Sequence, residues 1–219
     1  MPFYLYLNIL SELSAVILGT VFIKSLKKKY VFLYIFVCYA LVTEVLLHLL
    51  SRLGVKNTLP GTHIYGPIEF LLLAFLYYFH FNKSKIAKWI IVSMVLFELY
   101  CIINLLFIQG FYEYSNTRAI SSLILVLFSI LYFNKVMIET NISKLSAEPM
   151  VWINTAVLLY FSANLFYNIL FMMILDYSRE FSKLVNIYFT VFNVGFYILI
   201  AIGFWKTGKQ HKHSTTFVN

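Results

Sequence analysis

Residues 30–50 read YVFLYIFVCYALVTEVLLHLL: twenty-one positions with one carboxylate, Glu44, one imidazole, His48, and no Lys, Arg, Gly or Pro. Lys27-Lys28-Lys29 stand immediately before this stretch and Arg52 just after it. As a helix rising 1.5 Å per residue it is about 31 Å long, which matches the roughly 30 Å hydrocarbon core of a bilayer. No period-two alternation marks it as a half-buried strand. It reads as a membrane-spanning helix.

Six further stretches read the same way, so that the spans fall at residues 3–23, 30–50, 64–81, 88–108, 118–138, 150–173 and 186–205. The composition agrees. Hydrophobic residues make up 61% of the 219 positions and charged residues 12%, about half the charge of a soluble domain, and the mean hydropathy is +0.82. An ordinary water-soluble globule and a disordered chain are both excluded. The connections, at 24–29, 51–63, 82–87, 109–117, 139–149 and 174–185, are too short to hold an extramembrane domain. The expected fold is therefore all-α: a polytopic, seven-transmembrane-helix bundle over residues 1–205 with a short basic tail at 206–219.

The net charge of +8 does not point to nucleic acid, because the basic residues sit in short runs between apolar stretches rather than on one folded surface. Their distribution reports topology instead. Lys24, Lys27–Lys29, Lys83, Lys85, Lys88, Lys135, Lys144, Lys206, Lys209 and Lys212 fall on one side, twelve in all, against five on the other: Arg52, Lys56, Arg118, Arg179 and Lys183. The positive-inside rule then places the N-terminus outside and the C-terminal tail in the cytoplasm. The sequons at Asn82 and Asn141 would lie inside and stay unused. Residues 1–4 carry no basic charge ahead of the first apolar run, so a cleaved leader is not expected. Cys38 and Cys101 both fall within spans and form no CxxC motif.

Four carboxylates lie inside consecutive spans: Glu12, Glu44, Glu69 and Glu98. A charged group in a bilayer costs from about 3 kcal/mol upward and usually faces the bundle interior. The orientation above sets Glu12, Glu44 and Glu98 near the midplane or slightly outside it, with Glu69 closer to the outer rim, one turn into its helix and near water. Helical spacing aligns Asn8 with Glu12, Glu44 with His48, Met94 with Glu98 and Cys101, Asn164 with Asn168, and Asn186 with Thr190, Asn193 and Tyr197. The expected ligand- or ion-binding set is Glu12, Glu44, His48, Glu69, Glu98, Asn164, Asn168 and Asn193, around a polar pocket in the outer half of the bilayer. The competing reading of the Asn stripes is interhelical hydrogen bonding, and that of the carboxyls is protonated, structural pairing, including Glu44 with His48. The prolines at 2, 60, 67 and 149 fall at or before the starts of the expected helices, so those helices should run unbroken.

Other chemistry is weakly supported. Glu44 and His48, with Glu12, Glu69 or His63, offer zinc or iron ligand types but follow no known ligand motif. His211-Lys212-His213 reads as a basic end. The serines lack a GxSxG elbow, and no lysine sits at the centre of the last span to hold retinal as a Schiff base. No cofactor is specified.

Residues 64–72 (IYGPIEFLL), Trp152-Ile153-Asn154, Tyr160–Phe166 (YFSANLF), Asn186-Ile187-Tyr188 and Ile202–Lys206 (IGFWK) together resemble small seven-helix membrane proteins of Bacteroidetes. The likeness implies a bacterial inner membrane and a signalling association, and it brings no catalytic residue. The expected function is a sensor or receptor-like module that binds a small molecule, lipid or ion and meets a cytoplasmic signalling partner. The alternatives are a small cation- or proton-coupled transporter and an intramembrane, metal-assisted lipid enzyme. The topology is checked with single cysteines: those placed at Thr58 and Asn116 should react with an impermeant thiol reagent added outside, and those at Ser84 and Thr207 should not. The reverse pattern would invert the orientation.

Overall fold

The computed structural model describes residues 3–55, 57–82, 84–112, 116–139, 145–177 and 179–216, and all the regular structure among them is helical. Seven helices follow one another: α1 (Phe3–Val21), α2 (Lys28–Arg52), α3 (Leu59–Phe81), α4 (Lys85–Ile103), α5 (Thr117–Glu139), α6 (Pro149–Tyr177) and α7 (Arg179–Thr216). Helices α2 to α7 are long and apolar enough to cross a membrane; α1, whose side chains are described from Tyr6, is apolar but shorter. Lys56, Lys83, the sequon at Asn141 and Lys144 lie outside the described residues, as do the side chains of Arg179, Lys183, Asn186, His211, Lys212 and His213.

Several helices outrun their apolar windows, because backbone hydrogen bonding continues into polar residues that hydropathy discounts. α3 is the instructive case. It begins at Leu59, with Pro60 in its first turn and the Leu59 amide donating to Asn57 Oδ1 at 2.9 Å. Two expectations are corrected by this earlier start. Pro67 lies in the helix interior rather than at its beginning, where its missing N–H leaves the carbonyl four residues back without its usual donor. Glu69, placed by sequence at a watery rim, is ten residues further along than Leu59 and only 2% exposed.

The packing forms a ring. α1 lies between α2 and α7, α2 packs on α3, α3 on α5, α5 on α6 and α6 on α7, while α4 sits outside against α3 and α5. Since each connection is short, neighbours in sequence run antiparallel, and α4 is the return path that lets α3 and α5 stand side by side in the same direction. Its pattern suits that place. Ala87, Ile90, Met94, Phe97 and Cys101, spaced by threes and fours, are buried on one stripe, whereas Trp89, Leu96, Leu99 and Ile103 are exposed. A π-helical turn, Asn104–Ile108, ends α4; buried Asn104 there donates to Gln109 Oε1 at 2.9 Å, which also accepts from the Asn116 amide at 3.1 Å.

Elsewhere too the surface is apolar and the interior carries polar groups. Leu10, Ile17, Val42, Phe107, Phe166 and Val191 are exposed, while Ser122, Ser129, Asn154 and Asn164 are buried. A soluble protein shows the opposite arrangement. α1, α3, α5 and α7 all begin at one end, called here the carboxylate end. The other carries Lys24, Lys27–Lys29, Lys85, Lys88, Lys135, Lys206 and Lys209 and is called the lysine end.

Deep in the bundle one polar knot joins three helices. Tyr77 Oη donates to Asn154 Oδ1 at 2.6 Å, Asn154 Nδ2 donates to the Ser129 carbonyl at 3.1 Å, and Ser129 Oγ donates to the Asn154 carbonyl at 3.2 Å. α6 and α7 approach closely nearby, where a β-carbon on Gly203 would fall 2.6 Å from Ile153 Cγ1, the use to which small residues are put between apolar helices. Asn154→Leu should cost about 1 kcal/mol, because it removes the acceptor of the Tyr77 hydroxyl and the donor to the Ser129 carbonyl. Adding Tyr77→Phe should recover part of the lost melting temperature in detergent; a double variant less stable than the single one would show that the knot contributes through packing alone.

Candidate functional site

One cavity of about 240 Å³ lies in the half of the ring nearer the carboxylate end, lined by all six ring helices and by no residue of α4. α1 supplies Asn8 and Glu12, one turn apart, and α2 supplies Thr43 and Glu44. Tyr65 comes from α3, Arg118 from the first turn of α5 and Tyr160 from α6. α7 completes the wall with Thr190, Asn193 and Tyr197 at helical spacing. Ring closure is what assembles this set, since no two adjacent helices contain more than a fraction of it.

Two acceptors on α1 define the chemistry. Glu12 is 2% exposed, and its Oε2, like Asn8 Oδ1, is buried without a hydrogen-bond partner. Glu44 lies within electrostatic reach of Glu12, and the Tyr197 hydroxyl faces the same carboxyl. An unsatisfied buried polar group costs about 1–3 kcal/mol. A ligand that brings N–H or O–H donors relieves that cost.

Glu69 stands behind the wall and fixes its one cationic member among the described residues. Its Oε1 accepts from Tyr65 Oη at 3.2 Å, and its Oε2 pairs with Arg118 at 3.5 Å. The guanidinium also lies over the Tyr65 ring, 5.6 Å from its centroid, and Tyr65 stacks on Tyr39 at 5.4 Å. With Arg118 engaged by Glu69, the Glu12 and Glu44 carboxyls are the acidic groups of the cavity wall. Toward the lysine end the cavity meets aromatic rings. Tyr160 stacks on Phe196 at 4.6 Å, and Phe196 packs edge-on against Phe36 and Phe161; Phe36, Phe161 and Phe196 are each at most 2% exposed.

Of the residues singled out by sequence, Glu12, Glu44 and Asn193 line the cavity and Glu69 reaches it through Arg118. The others lie elsewhere. Glu98 is on α4, in a separate apolar groove of about 520 Å³ with Leu71, Phe75 and Tyr78, so the four carboxylates do not share one interior site. Helical spacing aligns Glu98 with buried Met94 and Cys101, but it carries no information on which helices enter the ring. His48 is half-buried outside the cavity lining, with its Nε2 unpartnered. Asn168 donates to the side chain and carbonyl of Asn164, away from the cavity, as interhelical or intrahelical fastening does. Among the described residues no three His, Cys, Asp or Glu side chains are placed to share a metal ion, so the Glu44–His48 metal reading lacks a third ligand there.

Arg118 and Tyr65 were missed. Arg118 was counted only as a topological charge, although a cation at the very start of an apolar span, with a carboxylate inside a neighbouring one, is a signal of pairing. Glu69→Gln and Arg118→Gln should each lower the melting temperature, by about 1–3 kcal/mol of stability, and the double variant should lose clearly less than their sum. Strictly additive losses would mean that the two groups do not act on each other.

Comparison with protein-family models, with curated proteins and with solved structures finds no match to this chain, so its function is argued from this geometry.

Proposed function

We propose that this chain is a membrane-embedded sensor or receptor-like module of a bacterial inner membrane, with the carboxylate end outside and the lysine end in the cytoplasm. Its cavity binds a small ligand that donates hydrogen bonds, an ammonium compound above all. What supports the reading is a cavity confined to one half of the ring, lined by Asn8, Glu12, Glu44 and Asn193, whose wall residue Tyr160 stacks on the buried Phe196 ring.

Chemically, the ligand's donors meet Asn8 Oδ1 and Glu12 Oε2, with Glu44 supplying a second carboxyl. The free energy released is then spent on whichever arrangement of α1, α2 and α7 brings those groups closest, since a ligand shifts a conformational equilibrium only through differential affinity. α7 is the element suited to report that shift. It carries Thr190, Asn193 and Tyr197 in the cavity and continues without a break to Thr216. Its 38 residues span about 57 Å, well beyond a roughly 30 Å hydrocarbon core. Movement at the cavity therefore appears at a basic helix end available to a cytoplasmic partner.

The second reading, a cation- or proton-coupled transporter, draws on the same Glu12–Glu44 pair. Reconstitution separates the two. Proteoliposomes loaded with a pH-sensitive dye should show no flux above empty vesicles, while methylammonium or spermidine should slow maleimide labelling of a cysteine placed at Asn193. Glu12→Gln and Glu44→Gln should abolish that protection and leave expression intact. Flux that vanishes in Glu12→Gln would replace the sensor with the transporter.

A further inference from the structure

At the lysine end a second groove, of about 610 Å³, opens between the last turn of α3, the start of α4 and the last part of α5. Its polar lining is His80, Asn82, Ser84, Asn134 and Lys135, and its apolar lining includes Phe81, Ile86 and Leu131. No carboxylate is among these residues. The surroundings add positive charge. Lys29 Nζ sits 3.2 Å from His80 Nδ1, and among the described residues it lies within electrostatic reach of Lys27 and Lys135 and of one carboxylate, Glu148. Glu148 is itself engaged by Gln210 Nε2 at 3.3 Å.

With Lys29 donating to Nδ1, His80 keeps its other ring nitrogen as a donor. Asn82, Ser84 and Asn134 add neutral donors, and Lys135, held over the Phe81 ring at 5.2 Å, adds a charged one. Ammonium groups gathered around one carboxylate repel one another until an anion joins them. Leu131 lies one turn along α5 from Lys135, away from the lysine end and into the apolar belt. The groove thus has a cationic, donor-rich head and a greasy foot.

We propose that the groove formed by His80, Asn82, Ser84, Asn134 and Lys135 is a binding site for the phosphate headgroup of an anionic glycerophospholipid, whose acyl chain lies along Ile86 and Leu131. Basic pockets between helices on the cytoplasmic side suit such headgroups, each lysine adding about 1 kcal/mol. The site is separate from the cavity at the other end and does not depend on the sensor reading.

The test uses the full chain in detergent, titrated with phosphatidylglycerol or phosphatidylcholine of the same acyl chains and read by native mass spectrometry. Phosphatidylglycerol should remain bound at energies that strip phosphatidylcholine, and 10 mM inorganic phosphate, roughly a thousand times the protein in molar terms, should not displace it. Lys135→Gln should weaken retention about five-fold, the value of one lysine. Asn134→Glu, at an exposed position on the groove wall, should weaken it at least as much and leave the fold undisturbed. The double variant Lys206→Gln/Lys209→Gln, at the same end but outside the groove, should retain the lipid. Equal retention of phosphatidylcholine, displacement by inorganic phosphate, or equal loss in the Lys206/Lys209 variant would each overturn the proposal, the last by showing diffuse charge attraction instead of a site.

Discussion

The ring closes where α3 meets α5, and two polar joints hold that contact. Glu69 pairs with Arg118 near the carboxylate end, and Tyr77, Asn154 and Ser129 bond to one another farther along. Between two apolar helices in an apolar surrounding, burial of greasy surface discriminates little among neighbours. A charge pair and a hydrogen-bonded knot discriminate strongly, because the alternative for each group is to go unsatisfied. Holding α3 against α5 has a topological consequence: α4, which joins them, is excluded from the ring. The six remaining helices then surround a single axis, and the cavity lies on it.

Buried polar groups in this bundle fall into two sets by whether their hydrogen bonds are complete. Asn154 uses its amide and its carbonyl between α3 and α5, Asn168 is spent on Asn164, and Thr207 donates to the Gly203 carbonyl at 3.1 Å. The Asn154 bonds fasten helices to one another, whereas those of Asn168 and Thr207 stay within α6 and α7. Asn8 Oδ1 and Glu12 Oε2 are equally buried but unpaired, and they face a space large enough for a small molecule. The distinction matters because both sets look alike as residue types. Lack of a partner alone does not mark the cavity, since His48 Nε2 and Glu98 Oε1 are unpaired outside it; Asn8 and Glu12 combine it with a place on the cavity wall.

The two ends differ in sign as well as in shape. Near one, Glu12 and Glu44 line a cavity; near the other, lysines rest on aromatic faces, with Lys28 over Phe79, Lys135 over Phe81 and Lys209 over Trp205. Long cationic side chains placed this way cover apolar surface with their stems and keep their charges at the boundary. α7 is common to both ends. It carries Asn193 and Tyr197 in the cavity wall and runs past the close contact at Gly203 to Lys206 and Lys209.

Sequence by itself determined the helix count, the apolar exterior, the segregation of lysines and the presence of Glu12, Glu44 and Asn193 on polar faces, because hydropathy and the 3.6-residue period are local properties. It also placed Glu69 inside a span, but one turn from the helix start and near water, whereas α3 begins at Leu59 and buries it, because an apolar window ends before the helix does. What it did not contain was the order of helices around the axis. Period identifies the face a residue occupies and not the helix across from it. Glu98 and Glu12 therefore looked equivalent, as did Asn168 and Asn193, until packing put α4 outside the ring and paired Asn168 with Asn164. Arg118 became part of the site for the same reason. Its role comes from Glu69 and Tyr65, forty-nine and fifty-three residues away in the chain, and only the closed ring brings them together.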